Sequence, residues 1–183
     1  MKQFRALTFG LLTLSACGST SGGSVNGSVV GYSLHVVETV FLTLPESEEG
    51  PAFALIWFAD RHGLCTGLQT GAWGKNTTSL AIYLMPSPPS PGTYSVAADL
   101  PADQPRHAGA YFFKQDDRCN LAPGLSNSVP ATSGSVALDS IQLFAGGHAK
   151  GSFDMNMSGD QLTGTFDAVY CEFPSSPRMI TCG

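Results

Sequence analysis

The sequence predicts an all-β domain: an antiparallel β-sandwich of about 8–9 strands, with a closed, lipocalin-like β-barrel as the alternative. Three observations lead there. Good helix formers are scarce, with five Glu and four Lys against 21 Gly and 12 Pro. No window of helical length carries an apolar stripe at a 3.6-residue period. Short apolar or alternating runs, each bounded by Gly or Pro, recur along the chain instead.

The strands can be placed in order. Residues 34–44, 53–60, 79–85, 93–98 and 108–114 are the early candidates. The run FALIWFA at 53–59 is apolar on both faces, as in a central strand covered on each side. Residues 134–144 form a later strand, with Val136, Leu138 and Ile141 pointing inward. The clearest unit is a hairpin. Phe153, Met155 and Met157 alternate with Asp154 and Asn156, and Ser158-Gly159-Asp160 forms a tight turn. Leu162, Phe166, Ala168 and Tyr170 line the returning strand. Gly-Ser-Phe-Asp at 151–154 and Gly-Thr-Phe-Asp at 164–167 echo each other as its two arms.

The start of the chain is organised differently. Lys2 and Arg5 precede an apolar run at 6–14, too short for the roughly 20 residues a membrane-spanning helix needs. Leu14-Ser15-Ala16-Cys17 then resembles the lipobox of bacterial lipoproteins. The resemblance implies a diacylglyceryl group on the Cys17 thiol and cleavage after Ala16. Residues 1–16 are thus expected to be a signal peptide, 17–24 the lipidated cysteine with a Gly/Ser tether, and 25–183 one domain. The expected location is the cell envelope. Gly18 after the cysteine, rather than aspartate, points to the outer membrane.

Removing residues 1–16 leaves 167 residues, enough for one domain with a real core. It also takes the formal charge from −5 to −7, since Lys2 and Arg5 are lost. An acidic chain without a basic stripe releases few phosphate counterions, which excludes nucleic acid as a partner. Beyond Cys17 the cysteines are Cys65, Cys119, Cys171 and Cys182. An even number in an exported chain predicts two disulfides, with three connectivities open. The favoured one pairs Cys65 with Cys119 and Cys171 with Cys182. No two cysteines have the short spacing of a zinc site, so no metal is expected.

A wider resemblance covers most of residues 25–171. Gly92-Thr93-Tyr94, the Ser-Gly-Ser-Val segment at 133–136 and a closing G-[ST]-F-D hairpin ending in Cys171 accompany the lipobox. Together they resemble a family of uncharacterised β-rich lipoproteins common in myxobacteria. The resemblance implies a fold and an anchor, and brings no activity with it.

Chemistry-bearing motifs are few. G-x-S-x-G, H-E-x-x-H, C-x-x-C and an EF-hand loop do not occur. GLQTGAWGK at 67–75 departs from a P-loop: Gln69 stands at the first glycine position and Asn76 replaces the Ser/Thr that holds magnesium. His35, His62, His107 and His148 lie far apart along the chain and read as surface residues. Three residues are candidates for binding: Trp73, on a loop where it could stack on a sugar, and the adjacent Asp116 and Asp117. The expectation is a non-enzymatic envelope module without cofactor, meeting the membrane through its lipid and a protein or glycan through its loops. The alternative is a secreted hydrolase with a site assembled from loops, marked by a pocket gathering His62, Asp116 and Asp117.

Overall fold

The computed structural model describes residues 21–46, 52–97, 106–122, 125, 128–172 and 181–182, without the side chains of 73, 181 and 182. Cys17 and its flanking segments lie outside the described residues. The strands are β1 (Gly22–Asn26), β2 (Glu38–Leu44), β3 (Phe53–Ala59), β4 (Ala72–Trp73), β5 (Thr78–Met85) and β6 (Gly92–Ala97). They continue with β7 (His107–Lys114), β8 (Val129–Ile141), β9 (His148–Met157), β10 (Asp160–Tyr170) and β11 (Thr181–Cys182). One helix, α1 (Leu64–Thr70), lies between β3 and β4.

The all-β expectation holds, but the sheet does not split into two facing layers. It runs in the order β1-β10-β2-β3-β5-β7-β6-β8-β9, and β9 pairs back onto β10. The favoured sandwich therefore gives way to the alternative, a closed barrel of eight strands, β2 to β10 without β4. Strand β10 makes closure possible. Ten of its eleven residues pair along one edge with β9, and its other edge is shared by β1 and β2. Register shifts in β8, between Ala131 and Ser133 and between Leu138 and Ser140, help it curl, because a bulge bends and twists its strand.

The barrel interior is filled with side chains. Phe41, Phe58, Tyr94, Phe112, Met155 and Met157 are fully buried there, packed with the aliphatic residues of the same cluster. An eight-stranded barrel is just wide enough for its own side chains or one small ligand, and here side chains take the space. Tyr94, from the Gly-Thr-Tyr segment, satisfies its buried hydroxyl by donating to the Ser90 carbonyl (2.8 Å) and accepting from the Ser90 amide (2.9 Å).

The hairpin is β9–β10, with positive φ at Ser158 (52°) and Gly159 (88°), the geometry of a two-residue turn that follows strand twist. The sequence echo has a packing cause. Gly151 faces Phe166 across the pair and Gly164 faces Phe153. A Cβ on Gly151 would lie 2.6 Å from the Phe166 ring, and one on Gly164 2.5 Å from the Phe153 ring. Each glycine makes room for the other arm's phenylalanine. Both rings then meet Phe58 edge-on, at 5.6 and 6.2 Å.

Three other expectations are corrected. Residues 22–24, read as tether, belong to β1; Gly23 fits because its Cα approaches Thr165 and Thr39 so closely that a Cβ would sit 3.0 Å from each. The segment 67–75, expected as loop around Trp73, instead holds the last residues of α1 and the short strand β4. Gly63 and Gly71 end that helix in left-handed conformation, and Leu64 and Leu68, one turn apart, bury its inner face. The helix packs on the outer face of β2 and β3 with Val40, Leu42, Leu55, Ala59 and Ala81, which explains why FALIWFA is apolar on both sides. Finally, the disulfide is Cys65–Cys171, not Cys65–Cys119 with Cys171–Cys182. The closing end of β10 lies against α1, so Cys171 meets the helix cysteine. Cys119 is also disulfide-bonded.

Candidate functional site

The connections β3–α1, β4–β5 and β7–β8 meet at one end of the barrel, because Ala59 pairs with Ser79 and Thr78 with Lys114. Backbone bonds tie these loops together. The Asn76 amide donates to the Asp116 carbonyl (2.9 Å) and the Gln115 amide to the Thr77 carbonyl (2.9 Å). Side chains extend the frame. Asp60 accepts from the Thr78 amide (3.0 Å), and Lys114 Nζ donates to Thr78 Oγ1 (2.9 Å).

Asp116 organises its own loop. Its Oδ1 accepts from the amides of Arg118 and Asn120, both at 2.8 Å. Desolvation works upward on its carboxyl. The hydrogen bonds from Arg118 and Asn120, with the Arg118 charge, outweigh that and hold the carboxyl below the usual aspartate range. Such a turn, with Cys119 at φ 61°, fixes the loop's shape and leaves Asp117 exposed beside it. The binding candidates Trp73, Asp116 and Asp117 are thereby brought to the same end, Trp73 on β4; its side chain lies outside the described part. His62 is exposed on the neighbouring β3–α1 connection.

Among the described residues, the cavity at this end is not lined by His62, Asp116 or Asp117. The cavity at this end has a volume of ≈ 30 Å³ and is lined by Arg61, Leu64, Gly67, Gly74 and Thr77, among others. It has room for water, not for a sugar or peptide side chain. The Arg61 guanidinium lies over Gly74, where a Cβ would collide with Nη1, and reaches Thr77 Oγ1 at 3.5 Å. Glu38 Oε2 accepts from the Gly63 and Leu64 amides, at 2.5 and 3.3 Å, so the start of α1 already holds a carboxylate. Among the described residues, no group of three or more His, Cys, Asp or Glu is arranged to hold a metal ion.

Sequence reasoning missed two features. The sequence places His148 with the other histidines as a surface residue. Its ring is largely buried and bonds through Nδ1 to Asp167 Oδ1 (2.5 Å), while Lys150 Nζ takes Oδ2 (2.8 Å). Burial pushes the Asp167 carboxyl upward, but the hydrogen bonds and charges of Lys150 and His148 prevail and lower it. The alternation of 148, 150 and 167 on one face was the available signal, since Lys150 pairs directly with Asp167. The second feature is an aromatic row outside the barrel. Phe53, Tyr83 and Tyr111, from three neighbouring strands, have centroids 5.2 and 5.7 Å apart. Burial raises the Tyr83 hydroxyl above its usual range, and the Tyr111 hydroxyl adds to this.

His35 and His62 stand exposed, while His107 and His148 begin their strands at the other end of the barrel; the four do not form one constellation. Among the described residues no helix is long and apolar enough to cross a membrane. Comparison with protein-family models, with curated proteins and with solved structures finds no match to the chain.

Proposed function

We propose that this chain is the precursor of a lipoprotein of the cell envelope, anchored through Cys17, and that its domain is a non-enzymatic binding module. The partner, a protein or a glycan, meets the loops around Asn76 and Asp116. One observation carries the reading: a filled barrel holds three loops in a single hydrogen-bonded frame at one end. Loops braced by a rigid scaffold are where recognition usually sits. The lipobox at 14–17 and the charged, apolar leader before it support the anchor, and Gly18 supports an outer-membrane destination.

The hydrolase alternative has the His148–Asp167 pair in its favour, which orients an imidazole as a general base is oriented. Among the described residues no hydroxyl or thiol is hydrogen-bonded to that ring, and the third member of the cluster is Lys150. That arrangement suits a surface ion-pair network better than a nucleophile's base.

The test is a thermal-unfolding screen of the mature chain against glycans, divalent ions and EDTA. A ligand at about 100 times its dissociation constant adds about 2.7 kcal/mol, raising the midpoint by about 5–10 °C for a domain of this size. A shift abolished by Asp117→Ala supports the loop frame as the binding end. A shift insensitive to changes there, or turnover of a glycan, overturns the reading. The anchor is tested separately: Cys17→Ser is expected to leave the protein unlipidated and released from membranes, and continued membrane partition refutes it.

A further inference from the structure

We infer that the β8–β9 turn, residues 142–147, is a second membrane contact, seating Phe144 in the lipid surface so that the Asp116 end points away from the bilayer. This rests on the proposed lipid on Cys17, and adds an orientation to it.

The first argument is reach. Gly22 is level with Asp167 on β10, which is level with Lys150 on β9, and the 142–147 turn directly precedes His148 on that strand. Five residues lead from Cys17 to Gly22, and an extended chain of that length spans at most about 17 Å. The opposite end of β10, at Asp160, is seven residues from Asp167, about 23 Å at the rise of a strand. A lipid on Cys17 cannot pass that end. The tether holds the 142–147 end of the barrel nearest the membrane.

The second argument is what that end presents. Leu143 and Phe144 are 41% and 58% exposed, and Phe144 is the most exposed large apolar residue among those described. They are neighbours on one projecting turn. The turn itself is braced, with the Gln142 amide on the His148 carbonyl (2.9 Å), Gly147 on Phe144 (2.7 Å) and Tyr170 on Gly147 (2.8 Å). An ordered apolar tip of Leu and Phe suits the headgroup–acyl boundary, where surface-bound segments bury Trp, Phe and Leu. The two acyl chains of a diacylglyceryl group suffice to hold the protein at the membrane, so what the turn adds is orientation rather than retention. The contact is apolar rather than ionic: Lys150 is committed to Asp167, and Glu46 stands at the same end.

The experiment uses the mature full-length lipoprotein, purified in detergent and reconstituted into phosphatidylethanolamine vesicles. Phe144→Trp and, at the far end, Asp117→Trp are compared after subtracting the emission of native Trp57 and Trp73. An interfacial side chain sits about 5–10 Å deep, so lipids brominated high on the acyl chain are expected to remove about half or more of the Phe144→Trp emission. That quenching should persist at high salt, and Asp117→Trp should be untouched. If intact mass shows diacylglyceryl on Cys17 and the protein floats with the vesicles, yet Phe144→Trp is unquenched, the orientation is wrong and the anchor stands. Equal quenching of both variants also overturns the orientation. If Cys17 carries no lipid, the anchor reading falls and this inference falls with it.

Discussion

Among the described residues, Asp167 takes part in both ion pairs, with Lys150 and with His148. Its carboxylate faces Lys150 and His148 at the end of the barrel where β9 begins, and its proton affinity is lowered by them despite partial burial. The folded carboxyl therefore titrates below its unfolded value of about 4. The stability it adds is complete above that unfolded value and is lost as pH falls through the lower folded one. The groups are partly solvated, so the increment is small, in the range of ~0.2–1 kcal/mol for exposed pairs. Asp167→Asn is expected to lower stability by that amount at pH 6 to 7 and to flatten the acid limb of a stability–pH curve. Urea titrations of both proteins at several pH values measure it; parallel acid limbs refute it. A sequence reader could see three polar residues on alternating positions. Their meeting was illegible until the register of β9 against β10 was known, because a slip of one residue sends one set to the other face.

At the scale of the element, the β9–β10 hairpin and α1 make opposite cases. The hairpin was legible because its alternation is unbroken and its turn residues accept positive φ. The Gly151 and Gly164 echo was visible as well, but its cause was not, since only the pairing register puts each glycine under the opposite phenylalanine. That cause predicts a cost. Gly164→Ala places a methyl against the Phe153 ring and the Ser24 carbonyl, the latter only 2.0 Å away. Overpacking of this kind is expected to destabilise by about 1–3 kcal/mol, read as a lower denaturation midpoint at unchanged slope. A neutral Gly164→Ala would mean that the ring and β1 can shift freely. Helix α1 was illegible because seven residues with two leucines one turn apart fall below any useful periodicity window. Strand β1 was missed for a related reason: its glycines carry no hydrophobic signal, yet the bareness of Gly23 is what lets it lie so close to Thr165 of β10. The binding candidates fared unevenly. Proximity of the Asn76 and Asp116 loops follows from β5–β7 pairing, which no local pattern announces.

For the whole molecule the deciding contact is the seam where the barrel closes. Sandwich and barrel use the same alternating strands, so local sequence could not separate them; the distinction rests on β10 meeting β2. That meeting is short. Only Val169 with Val40 and Tyr170 with Phe41 are paired, in parallel, followed by the Cys171 amide on the Phe41 carbonyl (2.7 Å). The Cys65–Cys171 disulfide fastens the next residue to α1, which itself packs across β2 and β3. The bond thus holds together two elements on either side of the seam, across 106 residues of sequence. A loop of about 100 residues closed by a disulfide is worth roughly 4.7 kcal/mol in the chain-entropy account, and native bridges typically contribute about 2–5 kcal/mol. The double variant Cys65→Ser/Cys171→Ser is expected to lose stability in that range. Its loss should also be localised. Hydrogen exchange should rise first at the Phe41, Tyr170 and Cys171 amides, while the β8–β9 and β9–β10 ladders, longer and doubly flanked, stay protected until global unfolding. Uniform acceleration across all strands would show instead that the seam and the rest of the barrel open as one cooperative unit, with the disulfide acting only on the unfolded chain.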